Sequence, residues 1–485
     1  MKAKIKKLYG FDKSPLLLGY LLLVFSYLPG VLRTSLYSDD FPAIIETPST
    51  ALTLVSDTRP IWGLGMFLFF SLAKFTGLYI IPKVVGFVGL ILLYRYTCGL
   101  FRNSKHQSIH YFIIAIGFLL PSFGIWSHWS TSLFHSWCAL LALVAHEKFK
   151  LKSRKISVLM MSVSCLIYPP ATVFFFGVIF YRTIAMNRTN SELLSDFLSA
   201  FKLLLLAGSL SLVFAFSTIR VLGLNPTSRV SIIGFEEFPS KIIWFFSHPF
   251  ALGFFPMSVH SPSWFQLLSV GVPISLAILF VSVKGIELSS LQLLFRFILL
   301  FLLIVLSISP LLMSKDNQIE LRLTPGISWA IFCTSLFGIY RLFEIYLNSF
   351  HRLISGILSL SLISFTFFGV TQRFQDFYLH QDKFSTEFII ESIHACEQSG
   401  KISGITIGDN KTVFPVVPYL GTFSMTSDMA SVWVPQNKTI FVIQRHFPEY
   451  SKVPVLMNSD NPEFCTIDLD DFAKRVISSK RKTLF

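Results

Sequence analysis

Long apolar runs separated by short polar segments recur along the first 372 residues of the chain. An apolar helix of about 20 residues crosses a hydrocarbon core of about 30 Å, so runs near this length predict membrane-spanning helices. Eleven apolar runs suggest such helices, and the fifth and sixth are the shortest: 15–35, 79–101, 108–126, 130–146, 156–168, 170–182, 203–221, 264–283, 291–313, 325–345 and 353–371. The pattern predicts an all-α polytopic membrane protein.

Two details of this pattern stay open. Tyr168-Pro169-Pro170 separates the fifth and sixth runs and predicts either the tip of a short hairpin or a kink in one long helix. Residues 61–74 are also apolar, and as a full span they would place the basic cluster at 148–155 outside the cell. The positive-inside rule favours a helix that lies at the membrane surface instead.

Basic residues then set the predicted orientation. The predicted cytoplasmic segments hold 20 Lys and Arg residues, and the outer side before residue 373 holds nine. Five lysines in Met1–Lys13 precede the first span and no small-residue cleavage site follows, which indicates an uncleaved anchor. The N-terminus is predicted to be cytoplasmic and the C-terminus to lie outside.

The tail, residues 373–485, has frequent charges and no long apolar run, so it predicts a small α/β domain outside the membrane. We expect helices at 384–398 and 472–479 and strands at 402–407, 439–443 and 466–469. Residues 1–372 are then a transmembrane domain whose first outer loop is about 36–78. Cys396 and Cys465 form the tail's one cysteine pair, and the sequence leaves open whether they are bonded.

Composition agrees with the apolar pattern. The chain is 53% hydrophobic and 14% charged, with a mean hydropathy of +0.62. Soluble domains carry about 25% charged residues, so a soluble globular protein is excluded. The net charge of +14 does not indicate nucleic-acid binding, because the basic residues mostly lie between apolar spans.

The first outer loop carries the strongest candidate chemistry. Asp39 and Asp40 follow the first span directly, and carboxylates at a membrane helix end are costly unless they act or are solvated. The alternative is an ordinary solvated loop or the start of a helix, where acidic residues are favoured. As catalytic residues, Asp40 is the preferred general base, and Asp39 orients it or binds the sugar or the acceptor.

Two arginines are candidates for binding phosphate with paired hydrogen bonds, Arg59 in the first loop and Arg322 between the ninth and tenth spans. Arg322 could instead form a salt bridge with Glu320 or Asp316, or reach to headgroups. Glu320, Lys241 in the loop 222–263 and Phe414 in the tail complete the candidate substrate-binding residues. No His/Asp cluster has clear metal-ligand spacing, so no cofactor is predicted with certainty. A divalent metal bound by the acidic pair stays open as an alternative. No glycine-rich nucleotide loop is present.

The order of these features resembles the GT-C class of membrane glycosyltransferases, which use polyprenyl-phosphate sugars. Asp39-Asp40 corresponds to the acidic motif after the first helix, Arg59-Pro60-Ile61-Trp62 opens a surface helix, and the Pro82 span follows, ending at Arg95 and Arg102. Within that class, the length and tail look most like the Gtr-type serotype-converting glucosyltransferases of enteric bacteria and their phages.

The resemblance implies a protein of the bacterial inner membrane with a periplasmic tail. It implies transfer of glucose from undecaprenyl phosphate-glucose to an O-antigen sugar of lipopolysaccharide, with inversion as the simplest mechanism, alongside a lipid-linked glucose synthase and flippase. An O-antigen polymerase or ligase is an alternative, although its basic outer loop is expected late in the chain. A flippase or transporter is another, although charged residues at mid-span, which it predicts, are nearly absent.

Overall fold

The computed structural model describes residues 14–33, 36, 40–227, 231–254, 269, 271–272, 274–275, 278, 288–315, 323–346, 360–361, 364, 380–400, 402–408, 434–459, 461, 463–472 and 474–475. Most of them are helical. The helices up to the middle of the chain are α1 (Ser14–Val31), α2 (Asp40–Ile45), α3 (Thr47–Ser56), α4 (Pro60–Thr76), α5 (Ile81–Gly99), α6 (Gln107–Gly117), α7 (Pro121–His128), α8 (His135–Lys150), α9 (Arg154–Ile167), α10 (Pro169–Thr172), α11 (Phe174–Ala185) and α12 (Asn190–Val221). Those that follow are α13 (Phe238–Phe245), α14 (Ala251–Phe254), α15 (Ser290–Leu306), α16 (Ser309–Met313), α17 (Pro325–Tyr346), α18 (His380–Gln398) and α19 (Val434–His446).

Four of the described helices are long and apolar enough to cross a membrane: α1, α5, α12 and residues 325–345 of α17. α6 and α7 together meet the same test but bend by 65°. α4, α15 and residues 169–185 are apolar but shorter. The helical, membrane-like character predicted from the sequence is confirmed. The predicted runs 264–283 and 353–371 lie for the most part outside the described residues.

The chain between α9 and α11 is interrupted at Tyr168. Tyr168 has an extended backbone (φ −154°, ψ 96°), the conformation that a following proline favours. The helix therefore ends at Ile167, and the short helix α10 precedes α11. Residues 156–182 do not form one continuous helix.

The helices have two chemically different ends. At the end where α8 stops and α9 starts, charged side chains are paired: Arg182 with Glu147 at 2.8 Å, and Lys150 with the buried Asp196 at 2.5 Å. Arg188 also pairs with Asp196. We call this the ion-pair end. The 16 residues of α8 lead from it over about 24 Å to the opposite end, at His135.

The tail has its own apolar core and a parallel sheet whose first strand lies in the middle. β1 (Ile405–Ile407) pairs with β2 (Val455–Met457) and with β3 (Cys465–Ile467). α18 confirms the predicted helix at 384–398, and β1 and β3 fall at two of the predicted strands. The predicted helix at 472–479 is described only at residues 472 and 474–475, which are helical.

The predicted strand at 439–443 is wrong, because these residues belong to helix α19. Val442 and Ile443 are buried in the tail core, whereas Phe441 contacts rings outside the tail. A helix can present both faces in this way, and this packing outweighs the strand preference of the β-branched residues. β2 was not predicted. A disulfide joins Cys396 of α18 to Cys465 of β3, with a Cα–Cα distance of 5.6 Å, which resolves the open question of that pair.

Candidate functional site

Asp40, the preferred base, begins α2 at the end of the bundle opposite the ion-pair end. Its side chain is fully buried, so it does not belong to a solvated loop. The Thr131 backbone N–H donates to Oδ1 at 2.9 Å, and the Ser130 backbone N–H donates to Oδ2 at 3.4 Å. The carboxylate thus stabilises the first turn of the short 3-10 helix Ser130–Ser132 between α7 and α8.

Arg59 lies immediately before α4, whose first residue is Pro60. Its guanidinium carbon lies 5.3 Å from the centre of the Trp62 ring and 5.1 Å from the centre of the Tyr168 ring. These are cation–π distances, and they hold the guanidinium between two aromatic side chains. The start of α4 therefore positions Arg59, and the end of α9 positions Tyr168.

His135 connects the Asp40 and Arg59 regions. Its ring centre lies 3.9 Å from that of Tyr168 and 5.4 Å from that of Trp62, and it follows Ser130–Ser132 by three residues. The structure therefore brings two predicted site residues into one group of side chains at converging helix ends. We call this group the helix-end cluster; its members are Asp40, Arg59, Trp62, Ser130, Thr131, Ser132, His135, Ser136 and Tyr168.

The helix-end cluster contains buried polar atoms that find no hydrogen-bond partner among the described residues. They are the hydroxyl oxygens of Ser130, Thr131, Ser132 and Ser136 and the indole nitrogen of Trp62. Leaving such an atom unpaired costs about 1–3 kcal/mol, so a group of them beside a carboxylate and a guanidinium calls for an explanation. The four hydroxyls can each donate and accept hydrogen bonds, and the indole N–H can donate one.

The tail docks on this end of the bundle. The Phe441 ring of α19 meets the Phe41 ring at 5.8 Å and the Tyr79 ring at 5.6 Å, both edge to face. The Lys438 ammonium, which is buried, lies 4.9 Å from the centre of the Phe41 ring and 2.5 Å from the Ser385 hydroxyl. Because Phe41 follows Asp40, the tail holds the helix that carries the candidate base.

A crevice lies at this junction between the tail and the segment before α5. It has a volume of about 270 Å³ and is lined by Gly77, Tyr79, Phe441, Gln444 and Arg445. Its lining therefore combines two aromatic rings with an amide and a guanidinium group.

Lys241 lies elsewhere, on α13. It is buried, with its ammonium 4.3 Å from the centre of the Trp244 ring. The strand-like segment before α13 pairs with the end of α16 through Ile232 and Ser314. The hydrogen bond from Lys315 to Glu237, at 3.2 Å, lowers the pKa of that carboxyl below its ordinary value. Lys241 thus contacts the Trp244 ring of its own helix.

The other predicted site residues, Asp39, Glu320, Arg322 and Phe414, lie outside the described residues. Sequence reasoning passed over His135, Tyr168 and the hydroxyls of 130–136. For His135 and these hydroxyls, the signal available was the group of serines, threonine and histidines from Ser127 to Ser136, which overlaps the start of the predicted span at 130–146. Within the described part of the chain, no three His, Cys, Asp or Glu side chains are grouped as a metal site.

Comparison with known proteins gives no relative: no family model matches the chain, and no curated protein or solved structure is significantly similar to it.

Proposed function

We propose that the chain is a membrane glucosyltransferase that uses undecaprenyl phosphate-glucose as donor and an O-antigen sugar as acceptor, on the periplasmic side of a bacterial inner membrane. The observation that carries the proposal is the helix-end cluster. It combines a fully buried carboxylate, an arginine between two aromatic rings, and hydroxyls that lack partners among the described residues.

Each part of the helix-end cluster has a role in the proposed reaction. The acceptor hydroxyl oxygen attacks the anomeric carbon of the donor and forms the new glycosidic bond, with inversion. The bond from that carbon to the phosphate oxygen breaks, and the polyprenyl phosphate leaves with the bonding electrons. Asp40 takes the proton of the acceptor hydroxyl, and Arg59 stabilises the negative charge that develops on the phosphate.

The hydroxyls of Ser130, Thr131, Ser132 and Ser136 and the Trp62 indole N–H would then bind the hydroxyls of the donor sugar. The crevice beside Tyr79 and Phe441 is suited to the acceptor, since it lies where the tail meets the Asp40 helix. Asp39 and Arg322 keep their proposed roles in sugar and phosphate binding.

The test uses substitutions that separate the chemical role of Asp40 from its structural role. Asp40→Asn keeps an oxygen that can accept the Thr131 N–H but cannot take a proton, and Asp40→Ala removes both. We expect Asp40→Asn to reach wild-type membrane levels and to lower glucose incorporation into O-antigen at least 100-fold, in cells that supply the lipid-linked donor.

Asp57→Asn is the matched control. Asp57 is a buried carboxylate of the same loop and accepts a hydrogen bond from the Thr227 hydroxyl. Its neutralisation should leave transfer within a few-fold of wild type. Full transfer by Asp40→Asn would show that the carboxylate only supports the 130–132 turn, and absence of transfer by the wild type would reject this donor and acceptor.

A further inference from the structure

A large groove runs between α9 and α12, starting from the ion-pair end of the bundle. Its volume is about 1130 Å³, slightly more than the 300–1,000 Å³ typical of small-ligand pockets. Its walls are mainly aliphatic. They are formed by Val158 and Leu159 on α9 and by Leu194, Leu198, Leu205, Leu206 and Leu210 on α12. A site of this size with aliphatic walls is suited to acyl chains.

Three cations lie along the same groove, Arg154 and Lys155 at the start of α9 and Lys202 on α12. All three are exposed, and none forms an ion pair with another described residue. The neighbouring cations differ in this respect, because Lys150 and Arg188 both pair with Asp196. The groove therefore carries positive charge that the described part of the protein does not neutralise. Ser191, Ser195 and Ser199 line it as well.

From this combination we infer that the groove binds an anionic phospholipid, with the phosphate at Arg154, Lys155 and Lys202 and the acyl chains along the leucines of α12. Basic pockets between membrane helices on the cytoplasmic side recognise anionic headgroups in this way. The site is independent of the proposed transferase chemistry. The 14-residue helix α9 separates its cations by about 20 Å from Tyr168 in the helix-end cluster.

Native mass spectrometry of the purified full-length protein provides the test, with phosphatidylglycerol and phosphatidylcholine of the same acyl chains as the two probes. The wild type should retain phosphatidylglycerol in preference. Each cation near a lipid headgroup contributes roughly fivefold in affinity, so Arg154→Gln/Lys155→Gln/Lys202→Gln should lower that preference on the order of 100-fold.

Arg102→Gln/Lys148→Gln/Lys152→Gln is the matched control, because it removes the same charge from exposed cations outside the groove. It should keep the wild-type preference. Equal retention of the two lipids by the wild type would overturn the inference without any variant, and so would an equal loss in both triple variants. Displacement of phosphatidylglycerol by millimolar glycerol phosphate would show that the ligand is a soluble phosphate and not a lipid.

Discussion

The Asp40 carboxylate accepts hydrogen bonds from the backbone N–H groups of Ser130 and Thr131, which lie 90 and 91 residues further along the chain. It therefore ties the first loop to the turn between α7 and α8. The acidic pair in the first loop was enough to predict Asp40 as a candidate site residue. Its burial and its hydrogen-bond partners could not be predicted, because they depend on residues distant in the sequence. The hydroxyls of the same turn are the other feature that only the structure reveals.

The hydroxyls of the helix-end cluster allow stability and activity to be separated. Because the Ser136 hydroxyl is buried and has no partner among the described residues, Ser136→Ala should leave the unfolding temperature unchanged or raise it. If this hydroxyl binds the donor sugar, the loss of one hydrogen bond should lower kcat/KM about 5- to 10-fold. Thermal unfolding in detergent and transfer assays measure the two effects.

Ser164→Ala is the control for that substitution. Ser164 is equally buried, but its hydroxyl donates to the Cys138 carbonyl oxygen at 2.9 Å and lies 2.7 Å from the Thr172 hydroxyl. It should lower stability by about 1 kcal/mol with little change in kcat/KM. The reverse pattern, in which Ser136→Ala destabilises and leaves transfer intact, would contradict a sugar-binding role.

Arg59 gives a second prediction at this scale. Arg59→Lys keeps the positive charge but loses the planar group that fits between Trp62 and Tyr168 and that can donate two parallel hydrogen bonds to phosphate. We expect kcat/KM for the lipid-phosphate donor to fall about 10- to 100-fold. Arg102→Lys, at an exposed position, is the control and should leave kcat/KM unchanged. An unchanged kcat/KM in Arg59→Lys would mean that Arg59 has a purely structural role.

At the scale of elements, close helix packing depends on glycine where α11 meets α17. A Cβ at Gly177 would lie 2.4 Å from the Gly326 carbonyl oxygen, a backbone atom that cannot move aside. Small residues allow such approach between membrane helices. Gly177→Ala should therefore lower the free energy of unfolding by about 1–3 kcal/mol or prevent folding.

Gly208→Ala is the corresponding change within α12, where a Cβ would meet nothing within 4 Å. Alanine is favoured over glycine in a helix by about 0.5–1 kcal/mol, so this variant should be as stable as the wild type or more stable. Thermal unfolding of the two variants in the same detergent provides the comparison. Equal stability would mean that α11 and α17 do not pack this closely in the protein.

The elements also show what could be predicted from sequence. Periodicity and run length identify α1, α5, α12 and α17, because an apolar run of about 20 residues has few other solutions. The same rules fail at α19, whose β-branched residues favour a strand when only the local sequence is considered. A helix forms there, with Val442 and Ile443 in the tail core and Phe441 against Phe41 and Tyr79. The rules also leave Tyr168 ambiguous, since a proline pair after it permits either a kink or a turn.

The docking of α19 on α2 is an element-scale contact with a measurable effect. Phe441→Ala removes two edge-to-face ring pairs, each contributing about 0.5–1.5 kcal/mol. We expect faster hydrogen exchange in residues 40–45 and a lower transfer rate, with the tail core intact. Leu456→Ala on β2, an exposed position, is the control, and unchanged exchange in residues 40–45 would show that the tail does not hold that helix.

For the whole molecule, the two ends of the bundle predict how it sits in a membrane. The ion-pair end carries paired charges and basic residues. The helix-end cluster and the disulfide-bonded tail lie at the other end. A structural disulfide persists on the oxidising side of a membrane, and basic residues remain on the cytoplasmic side. Both criteria predict the same orientation, which is also the orientation that the proposed lipid-linked donor would require.

Labelling of cysteines with a membrane-impermeant maleimide tests this orientation in cells with a permeabilised outer membrane. After reduction of Cys396–Cys465, the wild-type tail should be labelled without lysis of the cells. The variant Cys396→Ser/Cys465→Ser/Lys148→Cys should be labelled only after lysis, because Lys148 is exposed at the ion-pair end. The variant without the Lys148 change measures background from the remaining cysteines. Labelling of the Lys148 position in unlysed cells would reverse the orientation and would place the helix-end cluster on the side where nucleotide sugars, not lipid-linked sugars, are the available donors.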